Sequence, residues 1–343
     1  MPQKVSIIIP VFNCENIIQR CLDSILRQTY PEIEIIIIND GSTDKSGDIC
    51  MSYKKRDSRI IFLSIDNHGV SYSRNLGIEN SSGDFILFVD SDDYVLPDYV
   101  YNMVNNANNC QYVVSNIQMV NPYKILPRNK TSIFRIPLKE GNYEIKDYLE
   151  VLAILGISPL IGAPYCKLFM RDIVINNHVR FNENTCYAED LEFNLSYLRF
   201  VKNVAISTNA DYIYWKIIGN TLSRKKYDFK YLEDRWETLF SFYDKLFQTD
   251  SRENKNRELI HRLGFDILFS AIAQNDWSHS RILLNEINSK IRCEKNIKIY
   301  TFHDLVKRKT MINIRLIGLE VYRPLQRLVY FLRSMYNPSY LNY

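Results

Sequence analysis

Short apolar runs rich in isoleucine and valine alternate with amphipathic stretches over the first 109 residues. Runs that are apolar on both faces predict strands of a buried parallel sheet, and apolar residues at helical spacing predict the helices between them. The predicted strands are 5–10, 33–39, 60–65 and 84–89, and the predicted helices are 15–28, 44–56 and 69–80. The order βαβαβαβ predicts an α/β fold that is Rossmann-like, with a mostly parallel sheet flanked by helices.

The pattern becomes mixed after residue 109. It predicts a strand over 111–120, a loop or hairpin excursion over 121–142, a helix over 190–201 and two short strands over 204–215. Beyond residue 228 long helical patterns continue without turn clusters. We therefore divide the chain into 1–109, 110–225 and a helical C-terminal region, 226–343.

Charge and composition narrow the class of protein. The 43 basic and 39 acidic residues leave a net charge of +4, which is too small for a protein that neutralises a nucleic-acid backbone. The longest apolar stretch, 151–163, is shorter than the roughly 20 residues of a membrane span, and the N-terminus lacks a signal-peptide pattern. We expect a cytoplasmic protein with no nucleic-acid partner, and its seven scattered cysteines are expected to be reduced thiols.

Polar side chains follow three of the predicted strands. Phe12 and Asn13 follow the first, Asp40 the second, and a cluster of three aspartates over 90–93 the fourth. Ligands of such sheets bind beyond the carboxyl ends of the strands. Crowded carboxylates repel one another unless a cation or hydrogen-bond donors lie among them, and oxygen ligands suit Mg²⁺ or Mn²⁺. A solvated turn is the competing interpretation of the cluster.

The glycine signatures of common nucleotide sites are missing. Neither G-x-G-x-x-G nor G-x-x-x-x-G-K-[ST] occurs in the chain, which argues against a dinucleotide dehydrogenase and a P-loop ATPase. A metal at a strand end remains as a way to hold a diphosphate. Phe12 is then placed to stack on a base and Asp40 to accept a hydrogen bond from it.

Five sequence blocks in order resemble a known family. They are VSIIIPVFN, SILRQTYP, IIINDGSTD, NHGVSYSRNLGI and FVDSDD. Together they resemble an inverting glycosyltransferase of family 2 with the GT-A fold. Weaker blocks, KLF at 167–169 and AEDLEF at 188–193, are similar to the branch that builds bacterial capsular, exopolysaccharide and cell-wall glycans. Tyr165 and Cys166 depart from the Trp-Asn that is common before Lys-Leu.

The resemblance implies a role for individual residues. The base would be held by Pro10, Phe12 and Asp40, and Arg74 would approach the base or diphosphate. Asp90, with Ser91 beside it, would bond the ribose or order the motif, and Asp92 would ligate Mn²⁺ or Mg²⁺ between the phosphates. Asp190 would be the general base that deprotonates the acceptor hydroxyl. These roles imply a UDP-linked donor and a glycan or lipid-linked glycan acceptor.

Alternatives stay open at this point. Glu189 is the rival base, Asp44 is better explained as a helix cap than as a ligand, and Arg74 has a surface salt bridge as its competing interpretation. Tyr212, Tyr214 and Trp215 suit either an acceptor platform or core packing. A sugar nucleotidyltransferase and a non-catalytic nucleotide- or sugar-binding module are the rival functions.

A basic, apolar segment lies near the C-terminus. Residues 307–333 contain seven basic residues and a single acidic one, Glu320, interleaved with apolar side chains. This composition predicts peripheral contact of 305–335 with an anionic membrane, at the inner face of the cytoplasmic membrane. Packing of the same apolar face on the protein's own core is the alternative.

Overall fold

The isoleucine and valine runs form the central parallel strands of one sheet. The computed structural model describes residues 3–123, 131–149 and 159–216 and selected positions between 231 and 246. Strands β1 (Val5–Val11), β2 (Ile33–Asp40), β3 (Ile60–Ile65) and β4 (Phe85–Phe88) are parallel. Every residue of β1, β2 and β4 is buried, as expected for strands covered by helices on both faces.

Helices connect these strands and cover the sheet. They are α1 (Ile18–Leu26), α2 (Ser46–Lys54), α3 (Val70–Glu79) and α4 (Tyr99–Asn106). Helix α3 approaches β1 closely because Gly77 has no side chain, since a Cβ there would lie 2.4 Å from the Ile8 side chain. Asp44 lies one residue before Lys45, the N-cap position of α2, and its carboxylate accepts hydrogen bonds from the N–H groups of Ser46 and Glu15 at 2.9 and 3.0 Å, which orders the start of this helix.

The second part of the chain extends the same sheet. Its strands are β5 (Tyr94–Val95), β6 (Tyr112–Val120), β7 (Thr131–Phe134), β8 (Gly141–Glu144), β9 (Lys167–Met170) and β10 (Asn203–Trp215). Its helices are α5 (Pro159–Gly162), α6 (Arg171–Asn176) and α7 (Glu189–Leu198). The strand order is β3-β2-β1-β4-β9-β6-β10-β5, with β7 beside β6 and β8 beside β10. Strand β9 runs antiparallel to both β4 and β6, so it joins the two parts into one sheet.

One expectation for this region is wrong and another is confirmed. Residues 204–215 were expected to form two short strands, but they form the single strand β10, whose register against β6 shifts between Ser207 and Tyr212. The irregularity leaves extra residues of β10 opposite β6 without ending the strand. Over 121–142 the antiparallel pairing of β6 with β7 confirms a hairpin, and β8 begins at Gly141.

Other predictions fall outside the described residues. They include the segment 305–335 and most of 226–343, so the boundary near 226 stays a prediction. Within the described part of the chain, no helix combines the length and apolar character needed to cross a bilayer.

A buried carboxylate joins the amino ends of β1 and β2 to the turn before β4. The Glu34 oxygens accept hydrogen bonds from Lys4 Nζ at 2.6 Å, from Ser6 Oγ at 2.5 Å and from the Ser82 N–H and Oγ at 2.6 and 2.7 Å. Burial alone would raise the pKa of Glu34, but these donors outweigh it and lower the pKa to about 2.

We expect Glu34→Gln to lower the free energy of unfolding at pH 7 by about 3 kcal/mol, the free energy that corresponds to the pKa difference. Because the folded-state pKa lies below the ordinary value of 4.5, this stabilisation is present above about pH 4.5 and is lost as the pH falls towards 2. Urea unfolding of both proteins at pH 7 and pH 3 measures the difference. The exposed neighbour Glu32 supplies the control, Glu32→Gln. Equal losses in the two variants would contradict this account of Glu34.

Candidate active site

The carboxyl ends of β1, β2 and β4 bring the predicted site residues to one edge of the sheet. Pro10 lies within β1 opposite Ile38, and Phe12 follows that strand with half of its surface exposed. Asp40 ends β2, and Asp90 lies two residues beyond β4. An exposed aromatic ring at this edge is suited to stacking on a planar ligand.

The acidic cluster after β4 contains three carboxylates with different surroundings. Oxygen atoms of Asp90, Asp92 and Asp93 lie within 4.8 Å of one another. Asp93 is fully buried and accepts hydrogen bonds from the Tyr212 hydroxyl at 2.7 Å and the Trp215 N–H at 2.8 Å. Burial, with the charges of Asp92 and Asp90, raises the pKa of Asp93 well above its usual value. Asp93 therefore anchors the loop to β10, a role that sequence reasoning missed.

Asp92 has the carboxylate that is available to a cation. Among the described residues no side chain forms an ion pair or hydrogen bond with it. Burial, followed by the negative charge of Asp90, raises the pKa of Asp92 to about 6. A nearby divalent cation would favour the charged form and relieve this cost, and carboxylate oxygens are the ligands of Mg²⁺ and Mn²⁺. The residues present fit such an ion, while Ser91 lies in the turn between Asp90 and Asp92.

Arg74 links the acidic loop to the start of α7. Its guanidinium donates to Asp190 Oδ1 at 2.6 Å and to Asp90 Oδ1 at 2.9 Å. Only 4% of the residue is exposed, so the surface salt-bridge interpretation is wrong. Burial opposes the charge, but the two carboxylates outweigh it and raise the pKa of Arg74. One cation thus joins a residue of α3 to two acidic residues far apart in the chain.

Asp190 and Glu189 differ in their partners. Asp190 faces the acidic loop through Arg74, whereas no ion pair of Glu189 occurs within the described residues. Burial raises the pKa of Asp190 to about 7, against the lowering effect of Arg74 and with a further raise from the charge of Glu189. A carboxyl group with a pKa near neutrality can accept a proton and release it again. The geometry therefore favours Asp190 over Glu189 as the base.

Lys167 is a buried charge near this ion pair that sequence reasoning did not place in the site. Its ammonium donates to the carbonyl of Ala163. Burial lowers the pKa of Lys167 to about 8, although the charge of Asp190 acts in the opposite direction. Its position inside a KLF block was the one signal in the sequence.

Asp40 organises the loop that precedes α3. Its two carboxylate oxygens accept the N–H groups of His68 at 2.8 Å and Gly69 at 2.9 Å. Gly41 has a φ of +68°, and a Cβ there would lie 2.6 Å from the Asn67 nitrogen, so glycine is required at this close approach. This structural role occupies part of the Asp40 hydrogen-bonding capacity, and its contact with a base stays a prediction.

The aromatic residues of β10 divide between core and site. Tyr212 is buried and stacks on Tyr165 with ring centroids 4.7 Å apart, which confirms core packing for Tyr212. Tyr214 contacts the same ring at 6.0 Å. Trp215 instead packs beside the acidic loop, where the guanidinium of Arg20 lies 4.2 Å from its ring centroid.

Comparisons with known proteins identify the family. The sequence model described as Glycosyl transferase family 2 matches residues 6–176. The uncharacterized glycosyltransferase EpsJ of Bacillus subtilis is 33% identical over 245 residues, 70% of this chain and 70% of that protein. The poly(ribitol-phosphate) beta-glucosyltransferase of Bacillus spizizenii is 32% identical over 215 residues, 62% of this chain but only 32% of that protein.

A solved structure shares the fold. The crystal structure of Staphylococcus aureus TarS 1–349 in complex with UDP-GlcNAc superposes with a TM-score of 0.62 and 19% sequence identity, covering 94% of this chain and 92% of that one. The mixed α/β architecture with a mostly parallel sheet is therefore the GT-A fold. The chain belongs to glycosyltransferase family 2, whose activity is transfer of a sugar from a nucleotide-sugar donor.

Removing the hydroxyl of Tyr212 should loosen the acidic loop. This hydroxyl donates to Asp93 and accepts the N–H of Asp90 at 3.2 Å, so Tyr212→Phe removes one of the two donors to the Asp93 carboxylate and the acceptor of the Asp90 N–H. We expect a loss of about 1–3 kcal/mol in the free energy of unfolding, measured by urea denaturation. Tyr214→Phe is the matched control, because no hydrogen bond of the Tyr214 hydroxyl occurs within the described residues. A similar loss in both variants would show that ring packing, rather than the hydroxyl, holds the loop.

Proposed function

We propose that the protein transfers one sugar from a UDP-linked donor to a growing surface polysaccharide or lipid-linked glycan, with inversion at the anomeric carbon and with assistance from a divalent metal. The observation that carries the proposal is the bridge from Asp90 through Arg74 to Asp190. It holds a donor-side carboxylate and a basic carboxylate on opposite sides of one cation. The bond between sugar and phosphate in the donor and the hydroxyl of the acceptor can therefore meet beside this bridge.

The proposed reaction is a single displacement. Asp190 takes the proton of the acceptor hydroxyl while that oxygen forms a bond to the anomeric carbon. The bond from this carbon to the phosphate oxygen breaks, and the nucleoside diphosphate leaves with its electron pair. Attack on the face opposite the leaving group inverts the configuration. A positioned base of this kind commonly contributes about 10² to 10⁴ in rate.

Asp92 is the residue proposed to hold Mn²⁺ or Mg²⁺. When bound, the ion would neutralise the negative charge that develops on the departing diphosphate. Asp90 and Asp93 are already engaged with Arg74 and with β10, so they would position the loop rather than supply the principal ligand. Arg74 supplies a second positive charge next to the same loop.

The base pocket is proposed at the ends of β1 and β2. Phe12 would stack on the uracil, Asp40 would accept its N–H, and Pro10 and Ser91 would line the neighbouring backbone. Support for a UDP-linked donor comes from the shared fold of the TarS complex, which contains UDP-GlcNAc. Support for a hexosyl group and a polymer acceptor comes from the name of the poly(ribitol-phosphate) beta-glucosyltransferase, and support for an N-acetylhexosaminyl group comes from the UDP-GlcNAc of the TarS complex.

A screen of purified protein against nucleotide sugars separates this proposal from its rivals. Release of nucleoside diphosphate supports a transferase. Formation of nucleotide sugar from sugar phosphate and nucleoside triphosphate would indicate a nucleotidyltransferase. Tight nucleotide binding without turnover, with every acceptor tried, would indicate a non-catalytic binding module.

Metal dependence through Asp92 is the first expected property of the enzyme. Asp92→Asn, or excess EDTA, should remove most nucleoside diphosphate release while the circular dichroism of the protein is unchanged. The physical reason is the loss of several kcal/mol of charge stabilisation at the diphosphate. Asp84→Asn, at the amino end of β4, is the control and should retain wild-type activity. Full turnover in EDTA would exclude a metal mechanism.

The second expected property is a pH profile set by Asp190. The pKa of Asp190 is raised to about 7, and a base must be ionised to accept a proton. The value of kcat/KM should therefore be low below about pH 7 and increase as the pH passes through about 7. Asp190→Asn should lower kcat by about 10² to 10⁴ with UDP affinity nearly unchanged, and Glu189→Gln should do much less. A reversal of the two effects would assign the base to Glu189.

We further propose peripheral binding at the inner face of the cytoplasmic membrane through residues 305–335. The support is the basic and apolar composition of this segment. The full chain should sediment with anionic liposomes at low salt and be released as salt increases. Lys307, Arg308 and Lys309 changed together to Gln should weaken sedimentation without affecting UDP binding. Sedimentation that ignores both salt and these substitutions would contradict electrostatic docking.

A further inference from the structure

Arg20 reaches the acidic loop from helix α1. Its guanidinium Nη2 donates to the main-chain carbonyl of Asp92 at 2.7 Å. The bond goes to the carbonyl and not to the carboxylate, so the Asp92 side chain keeps its oxygens for another ligand. Arg20 and Asp92 are 72 residues apart in the chain, and the contact joins the first helix to the end of the fourth strand.

Two aromatic rings hold the same guanidinium. It lies 4.2 Å from the Trp215 ring centroid and 4.9 Å from that of Tyr94, and the two rings are 6.0 Å apart. Arginine is suited to this position because its planar group stacks on aromatic faces while its edge donates hydrogen bonds. The Trp215 main chain in turn donates to Asp93. Arg20 therefore connects α1, the acidic loop and the end of β10.

Each aspartate of the loop is restrained by a different group. Arg74 holds the Asp90 carboxylate, and Tyr212 and Trp215 hold that of Asp93. For Asp92 the restraint acts on the main chain alone. A hydrogen bond that holds the main-chain carbonyl fixes the orientation of that peptide plane. It therefore limits the directions in which the Asp92 side chain can point.

We propose that Arg20 is a positioning residue for the metal ligand Asp92. It holds the loop in the conformation that presents this carboxylate before a divalent ion and a diphosphate arrive, which reduces the ordering cost of binding them. Removal of a group that holds a metal ligand in place typically lowers metal affinity by about 10- to 100-fold. The inference rests on the proposed metal-assisted function, and it assigns to Arg20 a role distinct from contact with the donor.

The test measures manganese binding directly. Mn²⁺ is titrated into full-length protein saturated with UDP, and free Mn²⁺ is followed by electron paramagnetic resonance. Arg20→Ala should raise the Kd for Mn²⁺ at least tenfold, Arg20→Lys should give an intermediate value, and UDP affinity in EDTA should stay within twofold of wild type. Trp215→Leu, which retains the main-chain N–H to Asp93, should reproduce the effect of Arg20→Ala.

Arg56 offers a matched control. Its guanidinium lies 5.9 Å from the ring centroid of Tyr53. Tyr53 is on α2 and Arg56 is in the turn that follows, so Arg56→Ala removes an arginine–aromatic contact away from the site. Its Mn²⁺ affinity should equal that of wild type. If Arg20→Ala does not fold, the same comparison is made with Arg20→Lys, which retains the charge.

Each outcome has a separate meaning. An unchanged Mn²⁺ affinity in the Arg20 variants would overturn the inference and leave the proposed function intact. An equal loss of UDP affinity in EDTA would reduce Arg20 to a general structural role and also overturn it. Wild-type binding of UDP without any manganese dependence would overturn both the inference and the metal-assisted mechanism. Tight Mn²⁺ binding by wild type without sugar transfer would contradict the proposed function alone.

Discussion

The site depends on one buried cation, Arg74, held between two carboxylates. A guanidinium taken out of water costs several kcal/mol unless charge and hydrogen bonds compensate for it, and here Asp90 and Asp190 do so together. Both carboxylates are therefore needed, because loss of either one would leave the buried charge of Arg74 only partly compensated. The bridge also fixes the start of α7 against the loop after β4. Two elements that are distant in sequence are thereby held together at the site where we propose that the reaction occurs.

The same principle separates the three aspartates of the acidic loop. They are close neighbours in sequence, but burial and hydrogen bonding give each a different surrounding. Asp93 is held by β10, Asp90 by Arg74, and Asp92 only through its main chain. Burial and the charge of Asp90 raise the pKa of Asp92 to about 6, so this carboxylate is costly to ionise unless a positive charge lies beside it. In the proposed metal-assisted mechanism, a cation that arrives with the substrate would supply this positive charge.

Features that depend on local sequence pattern could be predicted, whereas features that depend on long-range contacts could not. Strands β1, β2 and β4 were predictable because their apolar runs are buried on both faces, and the strand ends then placed Phe12, Asp40 and Asp90 at one edge. Strand β10 was misjudged as two strands because its irregularity depends on pairing with β6, which no local pattern shows. The Arg74–Asp190 pair, 116 residues apart, and the contact of Arg20 with Asp92 depend on tertiary packing. The family resemblance implied a general base at Asp190, which stays a prediction, whereas the surroundings of Asp190 could be seen only in the fold.

The central claim is that one edge of the sheet binds the diphosphate through Asp92 while Arg74 keeps Asp190 directed at the same place. A crystal structure of the protein with Mg²⁺ and UDP tests it most directly. The account predicts an Asp92 oxygen about 2.1 Å from the ion, the uracil between Phe12 and Asp40, and Arg74 still bridging Asp90 and Asp190. A diphosphate bound away from the acidic loop, or an Asp190 side chain turned away from it, would contradict the account.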